Sequence, residues 1–110
     1  MENLTHQNCK PCEGGIKPLN RSQFENYLDQ IGDWKVIDDI KIERLFQFKN
    51  FKEALEFVNN VGEIAEAEGH HPDINLYGWN KVLITLWTHA IGGLSLNDFI
   101  VARKIDEIIN

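Results

Sequence analysis

Hydrophobic positions change period several times along the chain, and each change marks an element. From Asn20 onward Phe24, Tyr27, Leu28 and Ile31 keep the three-to-four spacing of a helix with one buried face. Asn20 can cap that helix with Gln23 as its capping-box partner, and Gly32 ends it. The period then shortens to two. Trp34-Lys35-Val36-Ile37 opens a strand, and Asp38-Asp39 is a turn signal. A second strand runs from Ile40 to Phe48. Ile40, Ile42, Phe46 and Phe48 share one side, with Arg44 the polar exception, while Lys41, Glu43, Gln47 and Lys49 take the other. That is an antiparallel strand with one wet face.

The helical period returns after Asn50, a cap with Glu53 at the third helical position. Ala54, Leu55, Phe57, Val58, Val61, Ile64 and Ala65 form a broad apolar stripe that stops at Gly69. Asp73 to Trp79 and Lys81 to His89 read as a hairpin turning at or near Asn80-Lys81. Residues 82–88 are apolar on both sides, so this strand is expected to be central, ending at His89. Gly92-Gly93 breaks the chain. Ser95 caps a last helix with Asp98 three residues later, and Phe99, Ala102, Ile105 and Ile109 make its inner face. The order is helix, strand, strand, helix, strand, strand, helix. It predicts an α+β domain over 20–110: a four-stranded, mostly antiparallel sheet with three helices on one face. Residues 1–19 hold Pro11, Gly14, Gly15 and Pro18 and read as a flexible leader.

At 43% apolar residues the chain can bury a real core, and its formal net charge of −6 narrows the partners. Non-specific nucleic-acid binding and a polybasic membrane contact both need clustered cations, so neither is expected. No apolar run approaches the roughly 20 residues of a membrane helix. The start of the chain, MENLTHQNCKPCEGG, lacks the apolar stretch of a signal peptide, so the expected compartment is the cytoplasm. Cys9 and Cys12 form a CxxC, but nothing helical or stranded precedes it, and only His6 lies near. Two reduced thiols in an irregular segment are favoured over a redox pair or a zinc site.

The chemistry concentrates between Glu66 and Asp98, which holds three of the four histidines. Imidazole titrates near neutral pH, so such a cluster invites acid/base catalysis. Pro72 keeps His71 out of the helical region, which places His70-His71 on a stiff extended connector. Adjacent side chains there point to opposite sides. His89 follows Trp87-Thr88, a stacking surface and a hydroxyl. Glu66 ends the long helix four residues before His70, where the helix dipole disfavours a carboxylate. Asp98 caps a helix and can also face the site. A metal bound by three histidines and a carboxylate is the obvious rival, but adjacent ligands make poor geometry and no HxH or HxxxH pair is present.

Taken together, Glu66-x3-His70-His71-Pro72, Trp79, His89 and Asp98 closely resemble the signature of the pterin-4a-carbinolamine dehydratases. The resemblance runs from about Leu19 to the C-terminus, and the leader resembles the N-terminal extension of many bacterial members. Departures are Gly69 and Ala90, where animal members have, or can have, an acidic residue. The resemblance implies a hydro-lyase with no metal and no cofactor. It would convert a 4a-hydroxytetrahydropterin, left by an aromatic amino acid hydroxylase, into quinonoid dihydropterin and water, in tetrahydropterin recycling. It implies catalysis by His70, His71 and His89, with His71 and His89 transferring protons. Glu66, Thr88 and Asp98 would bind or orient the substrate. It also implies a homodimer or homotetramer, and the Ile40–Phe48 strand would be a liability as an open edge. The alternative is a non-enzymatic dimerisation or scaffold module that binds a pterin or a protein partner, as some animal members do for a homeodomain transcription factor.

Overall fold

The computed structural model describes Leu4, residues 7–10 and residues 16–109. Helix α1 (Arg21–Leu28) starts at Asn20, whose side chain accepts from the Gln23 amide while Gln23 reaches back to the Asn20 amide. Strands β1 (Lys35–Ile37) and β2 (Lys41–Gln47) form a hairpin. Asp38 and Asp39 turn it with φ of 52° and 58°, a conformation Asp tolerates better than most residues. Helix α2 (Phe51–Glu68) ends at Gly69, which is left-handed at φ 64°. A second hairpin joins β3 (Asp73–Tyr77) to β4 (Lys81–Leu86), and helix α3 (Leu96–Ile108) closes the domain. The expected element order and α+β class are those of the structure.

All strand pairs are antiparallel, in the order β1-β2-β4-β3, so β4 is central as its composition demands. Register puts Ile42 opposite Leu86, Arg44 opposite Ile84, and Phe46 opposite Val82. Those apolar residues are buried against Ala54, Phe57 and Val61 of α2 and Phe99, Ala102 and Ile105 of α3. Because β2 lies inside the sheet, it is not the open edge that sequence pattern alone allowed. The edges are β1, three residues long, and β3, five. No helix among the described residues is long and apolar enough to cross a membrane.

Arg44 breaks the apolar face of β2 because α3 supplies its partner. Asp106 accepts from Arg44 (2.7 Å), from Trp34 Nε1 (2.8 Å) and from the Gly32 amide (2.7 Å). Gly32 leaves room for this arrangement, since a Cβ would lie 2.2 Å from the guanidinium and displace Arg44. Asp106→Ala strands three donors and an uncompensated cation, so it should cost on the order of 3 kcal/mol of stability. A urea denaturation midpoint near wild type would contradict that account.

Three expectations need correction. Leu55 and Ile109 are exposed rather than on inner faces. The buried face of α2 is the narrower row Ala54, Phe57, Val61 and Ala65, which leaves Leu55 outside it, and Ile109 falls beyond the end of α3. The hairpin strand stops at Leu86, so His89 does not end a strand but opens a 3₁₀ turn, His89–Ile91. There the chain doubles back. Thr88 and Gly93 pair across the turn, Gly92 takes φ 65°, and Pro18 packs where a Gly93 side chain would stand. The described residues of the leader are irregular in backbone but not loose. Leu4 is 1% exposed in the core, and residues 8–10 are tied to α2 and α3. One apolar side chain and a few backbone hydrogen bonds suffice to hold an irregular segment. His6 and Cys12 lie outside the described residues.

Candidate functional site

The left-handed Gly69 turns the chain out of α2, and the His70 amide closes the helix by bonding to Ala65 O (3.2 Å). His70 and His71 then sit in the connector before β3, and their rings meet different carboxylates. His70 turns inward, where its Nε2 meets Asp98 Oδ1 at 2.6 Å. His71 turns outward, 63% exposed, and its Nε2 meets Glu66 Oε2 at 2.5 Å. Glu66, itself 78% exposed, therefore serves His71, five residues on, rather than His70.

A carboxylate in its ionised form can only accept, so facing one each Nε2 donates, and Nδ1 is then the acceptor whenever the ring is neutral. The two histidines are thus fixed in the same tautomer by different carboxylates. His89 has another arrangement. Its ring lies 3.9 Å from the Trp87 ring, centroid to centroid, and Lys41 Nζ stands 4.6 Å from the Trp87 ring centroid. A tilted ring contact with Trp87, at an interplanar angle of 43°, orients the third imidazole. Trp87 Nε1 is buried without a hydrogen-bond partner among the described residues.

Asp98 is fully buried beneath the site and joins its parts. Besides His70, it accepts from Thr88 Oγ1 (2.8 Å) and from the Ser95 amide (2.9 Å), which caps α3. Thr88 Oγ1 also meets Ser95 Oγ at 2.7 Å. A cleft of about 660 Å³ opens above, lined by Glu66, His70, His71, Trp87, Thr88 and His89. Asp98 does not line it. Five of the six residues singled out in the sequence thus share one cleft, and the sixth supports it from below. Among the described residues no three His, Cys, Asp or Glu side chains are grouped to hold a metal ion.

Sequence reasoning missed Cys9, Lys10, Glu68 and Asn97, which also line the cleft. Burial first, then the charge and hydrogen bonding of Glu68, push the Cys9 thiol up to about 12. Burial raises Glu68 as well, but its bonds from Lys104 and the Cys9 amide and the Lys104 charge outweigh that and hold it below the usual range. A CxxC offers no hint of these contacts, because Asn97 lies 87 residues from Lys10.

Residues 17–108 match the family described as pterin 4 alpha carbinolamine dehydratase. A protein of Alkaliphilus metalliredigens is 51% identical over 97% of this chain and 96% of its own length, and is provisionally named a pterin-4-alpha-carbinolamine dehydratase. Pterin-4-alpha-carbinolamine dehydratase 2, mitochondrial, of Arabidopsis thaliana is 40% identical over 98% of this chain and 60% of its own. The crystal structure of a transcriptional coactivator/pterin dehydratase from Brucella melitensis superposes with a TM-score of 0.77 at 33% identity, covering 86% of this chain and all of that one. A pterin dehydratase-like protein identified as a RuBisCO assembly factor shares the fold (TM-score 0.59, 21% identity, 72% of this chain and 92% of that one).

Proposed function

The chain belongs to the pterin 4 alpha carbinolamine dehydratase family, and on that footing we propose that it dehydrates a 4a-hydroxytetrahydropterin to the quinonoid dihydropterin by histidine acid/base catalysis. The observation that supports this best is the convergence of three imidazoles, from residues 70–71 and from the turn at 89, on one cleft. The reaction needs two proton transfers and little else. The N5–H bond breaks and its electron pair forms the N5–C4a double bond. The C4a–O bond breaks, and the hydroxyl leaves as water with a proton from an acid. Hydroxide is a poor leaving group, so the acid matters most at that bond.

His71 and His89 divide these transfers in this reading. His70, held by Asp98, places the substrate and assists. Glu66 orients His71, and Thr88 with Asp98 fixes the floor of the cleft. The pterin ring is neutral, so the acidic chain needs no cationic clamp. The partner enzyme is an aromatic amino acid hydroxylase that releases the carbinolamine. The assembly is a homodimer or homotetramer, and the open β3 edge is the surface that calls for a partner.

Stopped-flow dehydration of freshly formed carbinolamine tests the reading, because the uncatalysed reaction competes on longer timescales. The protein should accelerate water loss, and a chelator should leave the rate unchanged. No acceleration would leave the scaffold alternative, and activity lost with a stripped metal would remove the acid/base mechanism.

A further inference from the structure

We propose that Cys9 and Lys10 of the leader form a wall of the pterin cleft, held there by Asn97, and that this wall selects among substituents at C6 of the pterin; the proposal rests on the pterin reading above. The family match begins at residue 17. Yet Cys9 and Lys10 line the cleft together with His70, His71, Trp87 and His89. The site is therefore completed by a segment that precedes the residues matched by the family model, though full-length relatives align over it.

The segment is held in a built arrangement. Asn97, 8% exposed, treats Lys10 as a neighbouring strand would. Lys10 N–H donates to Asn97 Oδ1 (3.0 Å), and Asn97 Nδ2 donates to Lys10 O (2.6 Å). The Cys9 amide donates to Glu68 Oε1 (2.7 Å). Lys104 joins the other Glu68 oxygen (2.8 Å) to Asn8 Oδ1 (3.1 Å). The Cys9 thiol rests on Asn97 O at 3.6 Å. A thiol raised this far stays protonated at neutral pH, so Cys9 contributes a neutral surface rather than a nucleophile. Asn97 and Asp98 are neighbours in the first turn of α3. One turn of helix thus places both the wall and His70.

The chemistry says what the wall meets. The histidines act at N5 and C4a, and C6 is bonded to N5. The C6 substituent therefore leaves the ring beside the reacting atoms, within reach of a wall that adjoins the histidines. A longer, hydroxylated substituent gains from that contact and a methyl gains little.

Two 7,8-dihydropterins test this, one with methyl and one with dihydroxypropyl at C6, titrated into the full chain by NMR and calorimetry. The Cys9 and Lys10 amides should shift, more with the dihydroxypropyl compound. Asn97→Ala should weaken that compound by roughly 5- to 30-fold, the worth of one or two lost hydrogen bonds, and the methyl compound much less. Lys10→Pro removes the same donor from an exposed position and should narrow the selectivity likewise, even if Asn97→Ala fails to fold. Unmoved Cys9 and Lys10 amides beside responding His70 and Thr88 amides would overturn the wall. So would equal weakening of both compounds, which would make Asn97 a structural residue only. Neither outcome touches the dehydratase reading if the wild type still accelerates dehydration. A wild type that neither binds nor dehydrates overturns both.

Discussion

His71→Ala and His89→Ala are each expected to slow carbinolamine dehydration by roughly 10²–10⁴-fold, the usual worth of a positioned proton donor or acceptor. The fold should survive both. His71 is mostly exposed and bonded through Nε2 to Glu66, and His89 stands in a short turn against Trp87. Neither fills the core, so neither removal opens a cavity. Binding of a dihydropterin should weaken less than the rate, because the Trp87 surface and the buried Asp98–Thr88 floor remain. The double variant should lose less than the product of the single losses, since groups that act on one transition state are not additive. Single-turnover rates near wild type, in variants folded by circular dichroism, would sink this assignment. The histidines would then only shape a cleft, and the scaffold reading would stand in its place.

What the sequence disclosed was what neighbours along the chain decide. The Asn20–Gln23 and Ser95–Asp98 caps, the stop at Gly69 and the stiff connector at Pro72 are all local, and all are where spacing put them. The alternation of β2 gave its buried face, and the composition of β4 gave its central place. Long-range contacts decided the rest. Arg44 looked like a flaw in an apolar row until Asp106, 62 residues on, supplied its partner. The end of β4 is set by Thr88 pairing with Gly93 and by Pro18 packed against Gly93, so His89 lies on a turn that no strand pattern foretells. In the site, residue types and spacing picked out the histidines and both carboxylates. They could not assign partners. Glu66 lies four residues from His70, yet it bonds His71 and leaves His70 to Asp98.

That pairing makes Asp98→Asn the sharpest probe of the site's interior. The carboxylate receives three donors, from His70, Thr88 and Ser95. In Asp98→Asn the side-chain oxygen can still serve Thr88 and the Ser95 amide, so the cap of α3 and the fold should persist. Its amide group then faces His70 Nε2 as a donor. Two donors cannot bond, so the imidazole must shift its proton to Nδ1 and present Nε2 as an acceptor. The histidine would keep its place in the wrong tautomer, with the atom facing substrate changed from acceptor to donor. When a carboxylate that orients a catalytic histidine is replaced this way, losses of roughly 10²–10⁴-fold are expected. The loss should fall on the chemical step more than on dihydropterin binding. Nitrogen NMR of the His70 ring reads the tautomer independently of turnover. Asp98→Ala is the contrast: it strands all three donors in a buried place, and it should cost stability on the order of 3 kcal/mol as well as rate. If Asp98→Asn keeps the wild-type rate while His70 shows the inverted tautomer, His70 does not take part in the proton transfers. His71 and His89 then carry them alone, and Asp98 serves only to bind α3 to the turn at Thr88.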